Sequence, residues 1–197
     1  MFTAKFEKAV RFALKLHKDQ LRKGTNIPYL SHLLAVASLV LENGGAETEA
    51  IAALLHDGPE DQGGKETLRK IEAEFGKAVA EIVAGCTDAW TDPKPAWRKR
   101  KEDYLAHLPQ ASPSTLLVSA ADKLHNARAI LIDYREVGET LWNRFNAGKE
   151  GTLWYYRALV TTYQKANAPQ KLVAELDRVV SEIERLGKAE SVKTSGG

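Results

Sequence analysis

With 197 residues, 44% of them apolar and 27% charged, the chain has the balance of one globular domain with a sizeable core, and not that of a disordered segment. A net charge of +2 gives no case for a nucleic-acid binder, and no apolar run approaches the length of a membrane span. A single cysteine, Cys86, excludes an internal disulfide framework, and the first residues lack a signal-peptide pattern, so a cytoplasmic enzyme is the default expectation.

In chain order the pattern predicts an all-α fold. Phe6, Ala9, Val10, Ala13, Leu14 and Leu16 recur at helical spacing within residues 2–21. The run Gly24 to Pro28 breaks that helix. A second helix is expected over about 29–42, closed by Asn43-Gly44-Gly45, and a third over 48–55, running straight into His56-Asp57. Gly58-Pro59 and Gly63-Gly64 interrupt regular structure. Helices follow at about 67–74 and 78–86. Residues 90–97, with two prolines, read as a loop. Further helices are expected at 98–107, at 114–133 behind Ser112-Pro113, and at 153–165, which is rich in aromatics. Pro169 opens a last amphipathic helix to about Leu186, and 188–197 reads as a flexible polar tail. There is no strand-type alternation, internal repeat or long linker. The expectation is a single-domain helical bundle of about eight to ten helices covering 1–187.

The chemistry concentrates in His56-Asp57-Gly58-Pro59-Glu60-Asp61. An adjacent His and Asp offer one nitrogen and one oxygen to a single divalent ion. His32, inside the second helix, and Asp122, inside the otherwise apolar 117–124 stretch, complete a two-His, two-Asp set if the fold brings them together. A buried carboxylate such as Asp122 needs a cation, a metal or hydrogen bonds; its competing partner is Arg128. Imidazole and carboxylate ligands suit Mn²⁺, Fe²⁺, Zn²⁺ or Co²⁺. Glu60 and Asp61 lie where they can handle the proton of a water. Asn126 shares a helix face with Asp122 and can donate to a phosphate or ribose oxygen. His125 is three residues from Asp122, and His17 and His107 read as surface or packing residues. Tyr155 and Tyr156 are core aromatics within reach of a nucleobase. The basic patches Arg22-Lys23 and Arg98 to Lys101 are solvated helix ends or phosphate contacts.

Taken together, Arg22-Lys23-Gly24-Thr25-Asn26-Ile27-Pro28-Tyr29-Leu30-Ser31-His32, the HDxxED run from His56 to Asp61, and Ala121-Asp122-Lys123-Leu124-His125-Asn126-Ala127-Arg128 resemble the HD-domain phosphohydrolases. The likeness is specifically to the hydrolase domain of the RelA/SpoT family of the stringent response, in its branch of small alarmone hydrolases. Thr87-Asp88 and the basic cluster from Arg98 fall in the family's order, and the likeness covers roughly residues 3–166.

The resemblance implies hydrolysis of the 3′-pyrophosphate of (p)ppGpp to GDP or GTP plus pyrophosphate, with Mn²⁺ as cofactor. Carried over residue by residue, His32, His56, Asp57 and Asp122 become metal ligands, and Glu60 and Asp61 the water-activating pair. Arg22, Lys23, Lys99, Asn126 and Tyr155 become substrate contacts. The chain departs from the family at Gly58-Pro59 and around 146–156, which leaves (p)ppApp open as a substrate. The competing readings are another HD nucleotide phosphohydrolase, a nucleotidase or phosphodiesterase, or a nucleotide-binding protein without turnover. The expected partner is a small nucleotide, with no nucleic acid and no membrane; exposed amphipathic helices fit packing within the domain or in a homo-oligomer equally well.

Overall fold

The computed structural model describes residues 2–91 and 93–194, with the side chains of 189–194 left aside. The described residues are α-helical, with two 3₁₀ segments and one isolated antiparallel bridge between Leu21 and Pro28. α1 (Ala4–Leu16), α2 (Leu30–Glu42), α3 (Glu47–Leu55) and the single turn α4 (Gly58–Asp61) come first. α5 (Gly64–Phe75), α6 (Lys77–Cys86) and α7 (Trp97–His107) follow. The long α8 (Pro113–Val137), α9 (Gly148–Lys165) and α10 (Gln170–Thr194) complete the bundle, with 3₁₀ turns at Leu108–Gln110 and Gly138–Arg144. Among the described residues no helix is long and apolar enough to cross a membrane.

α3 is the hub. Every residue from Ala50 to Leu55 is buried, because α1, α2, α6 and α8 pack around it. A helix apolar on all sides belongs in a core, and each fully buried leucine there contributes about 1.5–3 kcal/mol. The helix therefore delivers its C-terminal residues, His56 and Asp57, into the molecular interior. α8 starts from an N-cap at Ser112, whose hydroxyl accepts from the Thr115 amide at 3.1 Å, with Pro113 in its first turn. α10 lies along α8 and α9 and covers the outer side of the bundle.

The structure differs from the sequence pattern in four places. α1 stops at Leu16 instead of running to residue 21, because His17 Nδ1 and Gln20 Oε1 pair at 2.7 Å and the chain turns. Residues 20–29 then form a tight loop, in which the Arg22 amide donates to the Ile27 carbonyl at 2.8 Å and the Tyr29 amide to the Gln20 carbonyl at 2.9 Å. α8 and α9 are each longer than expected, the latter beginning at Gly148. α10 continues through the start of the expected tail to Thr194; residues 195–197 lie outside the described residues.

Candidate metal centre

Three parts of the fold meet at one point. α2 supplies His32, the α3–α4 junction supplies His56 and Asp57, and α8 supplies Asp122. His32 Nε2 stands 3.4 Å from Asp57 Oδ2 and 3.2 Å from Asp122 Oδ1. His56 Nε2 stands 3.0 and 3.6 Å from the same two oxygens. His32, His56 and Asp122 are buried, and Asp57 is nearly so.

The hydrogen bonding of the rings bears on what this cluster could hold. His56 Nδ1 donates to the Ala53 carbonyl at 2.8 Å, which leaves a lone pair on Nε2 in the neutral ring. His32 Nδ1 pairs with His125 Nδ1 at 2.8 Å. Burial, with His32 and Arg22 nearby, pushes His125 down to about 4, and the tautomer in which His32 Nδ1 donates to it leaves a lone pair on His32 Nε2. Neither Nε2 atom makes a hydrogen bond, although both are fully buried. Two buried lone pairs facing two carboxylate oxygens fit a divalent cation, which satisfies all four at once. His32, His56 and Asp57 form such a group on geometry alone, their donor atoms within 4.8 Å of one another. Burial works against charge here, yet Asp57 and Asp122 hold the His56 proton well above its ordinary range and are themselves held well below theirs.

A second layer fixes the ligands. Tyr29 Oη donates to Asp57 Oδ2 at 2.6 Å. Asp122 accepts from Lys123 Nζ and Asn126 Nδ2, each at 2.5 Å. Arg128, the alternative partner for Asp122, pairs instead with Glu175 on α10 at 3.5 Å. Arg22 Nη2 donates to Asn126 Oδ1 at 2.7 Å, so the 20–29 loop is tied to Asp122 through one amide.

Two cavities flank the cluster and share Lys23, Asn126, Phe145 and Tyr156 in their walls. The larger, ≈ 650 Å³, joins apolar Leu21, Ile27 and Ile130 to the polar Arg22 and Asp61. The smaller, ≈ 410 Å³, is lined by Glu60 and by Lys94, Arg100, Lys101 and Lys123, with Tyr155 and Trp97 as aromatic walls. Glu60 accepts from Lys94 at 2.8 Å. Burial, reinforced by Asp88 and Asp57, pushes Glu60 up, and Lys94 opposes that rise. Asp61 accepts from Gln20 at 2.8 Å.

Most of the expected site residues gather here, with one correction. Lys99 faces outward on α7, where it pairs with Asp103 at 2.5 Å and is 69% exposed. Its neighbours Arg100 and Lys101 turn inward instead. Residues one apart on a helix point about 100° apart, so a run of four cations cannot all face the site. Which of the cations from Arg98 to Lys101 turn inward, and the return of Lys94 and Asp88 to the site, were not legible, since they depend on where α7 lies; Lys123 stands beside Asp122 on α8. Tyr155 is buried, and its hydroxyl has no hydrogen-bond partner.

Residues 9–153 match the HD domain family. Over 123 residues the chain is 42% identical to the guanosine-3′,5′-bis(diphosphate) 3′-pyrophosphohydrolase MESH1 of Xenopus tropicalis, covering 61% of this chain and 66% of that protein. It is 37% identical over 128 residues to the Homo sapiens MESH1 of the same description, covering 64% and 69%. In three dimensions it superposes on a solved metazoan ortholog of SpoT, described as hydrolysing ppGpp, with a TM-score of 0.74 over 92% of this chain and 97% of that one at 24% identity.

Proposed function

The chain belongs to the HD-domain family, alongside the MESH1 guanosine-3′,5′-bis(diphosphate) 3′-pyrophosphohydrolases, and on that premise we propose that it is a divalent-metal-dependent hydrolase of the 3′-pyrophosphate of (p)ppGpp-type alarmones. The observation that carries the reading is the pair of buried, hydrogen-bond-free Nε2 atoms facing Asp57 and Asp122 beside a cavity rich in lysine and arginine.

His32, His56, Asp57 and Asp122 would hold the ion, and Mn²⁺ fits their mixed nitrogen and oxygen chemistry. When bound, a divalent ion acidifies water and polarises a phosphoryl oxygen. Glu60, whose pKa is raised by its burial, takes the proton of the attacking water, and Asp61 orients that water. The water oxygen bonds to the phosphorus attached to ribose O3′. The P–O3′ bond breaks, O3′ takes the proton that Glu60 removed from the water, and pyrophosphate is released. Arg22, Lys23 and Asn126 border the larger cavity, where they position the nucleotide, and Asn126 links it to Asp122. Tyr155 and Tyr156 supply aromatic wall.

The test is a turnover assay with Mn²⁺, offering ppGpp and ppApp side by side, with EDTA and Asp122→Ala as controls. Metal-dependent release of pyrophosphate, abolished in both controls, is the expected outcome and reports the base preference. Release of inorganic phosphate instead, or no turnover by metal-loaded protein, would sink the reading.

A further inference from the structure

One buried carboxylate, which helps to raise Glu60, has no contact of its own with the substrate in the hydrolysis as described. Asp88 lies just past the end of α6, with its side chain 5% exposed. Arg100 Nη1 donates to its Oδ1 at 2.5 Å, and Lys101 Nζ donates to its Oδ2. We propose that Asp88 is the positioning residue of a pyrophosphate cradle, aiming Arg100 and Lys101 into the smaller cavity so that they clasp the 3′-pyrophosphate. The inference rests on the pyrophosphohydrolase reading and deepens it.

The argument starts on α7. Four cations follow one another from Arg98 to Lys101. Arg98 bonds Glu102 at 2.6 Å and stacks on Trp154 at 3.4 Å, and Lys99 pairs with Asp103. Both are spent on the outer face. Arg100 and Lys101 are 12% and 15% exposed, and both line the cavity. The carboxylate between them draws two residues that helical geometry splays apart toward one side.

Asp88 does not exhaust what it holds. A guanidinium has five N–H donors in a rigid fork, of which Arg100 uses Nη1 on Asp88 and Nε on the Pro95 carbonyl at 3.2 Å. Lys101 has three donors and gives one to Asp88. The same cavity also presents Lys23, and Lys94 and Lys123, which are paired with Glu60 and Asp122. The unused donors of Arg100 and Lys101 are multidentate and suit the oxygens of a compact, multiply charged anion. A nucleoside diphosphate placed in the larger, partly apolar cavity gains little from them. Asp88 thus distinguishes the two products of the reaction by what each of them touches.

The experiment uses the full, metal-loaded chain. Binding of inorganic pyrophosphate and of GDP is measured by calorimetry, and each is measured as an inhibitor of ppGpp turnover, for wild type, Asp88→Asn, Arg100→Gln and Lys101→Gln. Asp88→Asn should weaken pyrophosphate roughly tenfold or more, as loss of a fixed charge pair does, and leave GDP within about twofold. Combining it with Lys101→Gln should add little, because both changes remove the same clasp. A folded Asp88→Asn protein with unchanged pyrophosphate affinity, or with equal loss for both products, overturns the proposal; equal loss marks a merely structural ion pair. If Asp88→Asn does not fold, unchanged pyrophosphate affinity in both Arg100→Gln and Lys101→Gln overturns it equally. Wild type that binds pyrophosphate tightly but releases none from ppGpp refutes the hydrolase reading while supporting the cradle.

Discussion

Glu60 and Lys94 form the pair on which residue-scale behaviour turns. Glu60→Gln keeps the shape of the acid but cannot take a proton, so kcat should fall by about two to four orders of magnitude while metal content, read by elemental analysis, stays at the wild-type level. Burial, Asp88 and Asp57 raise the Glu60 pKa, and Lys94, 2.8 Å away, lowers it. A base works only when deprotonated, so activity is lost as pH falls through that pKa. Removing the lysine removes the lowering influence. Lys94→Gln should therefore shift the acidic limb of the kcat–pH profile to higher pH; a limb that stays in place or moves down would mean that Glu60 is not the group titrating. That His32, His56, Asp57 and Asp122 meet beside Glu60 and Asp61 was expected from residue type, spacing and the family resemblance, and the fold brings them together. Lys94 was not, because its loop carries no periodic signal that says where it returns.

At the scale of elements, the turn α4 depends on a missing side chain. Gly58 sits where an added Cβ would lie 3.0 Å from Leu16 Cδ2, 3.4 Å from Thr67 Cγ2 and 3.6 Å from Ile71 Cδ1. The glycine that departs from the family pattern is thus fitted to the packing of α1 and α5 against the HDxxED turn. Gly58→Thr should destabilise the protein by about 1–3 kcal/mol through overpacking, measured as a lowered midpoint in denaturant. An unchanged midpoint would show that Leu16 and its neighbours yield freely. Helices α2, α3, α5 and α6 were readable from their apolar spacing to within a few residues, since burial and local propensity agree there. The end of α1 was not. Its sequence continues helix-compatible to residue 21, but Gln20 is drawn into long-range bonds with Asp61 and Gln62, each at 2.8 Å, and those tertiary contacts end the helix.

For the whole molecule, the α10 helix matters although it lies beyond the residues matching the HD domain. Leu172, Val173, Leu176, Val179, Val180 and Ile183 are all buried, and ion pairs from Arg128, Arg135 and Arg157 reach its acidic side chains. Six such side chains bury apolar surface worth on the order of 10 kcal/mol, comparable to the entire stability of a domain. A chain ending after Ala168 should therefore lose its cooperative thermal transition by circular dichroism. A sharp melt in the shortened chain would refute the assignment of α10 to the core. α8 is the other long-range organiser: Asp122, Lys123, His125, Asn126 and Arg128 lie on it within two turns and serve the metal cluster, the cationic cavity, the His32 ring, the 20–29 loop and α10 in turn. Each residue along a helix advances about 1.5 Å and rotates about 100°. The spacing between those five tasks is therefore written as a count of residues, and chain length is tolerated unequally across the molecule. One residue inserted between 122 and 128 would turn everything beyond it away from its partner, whereas the irregular residues 93–96 can take up an extra residue as slack.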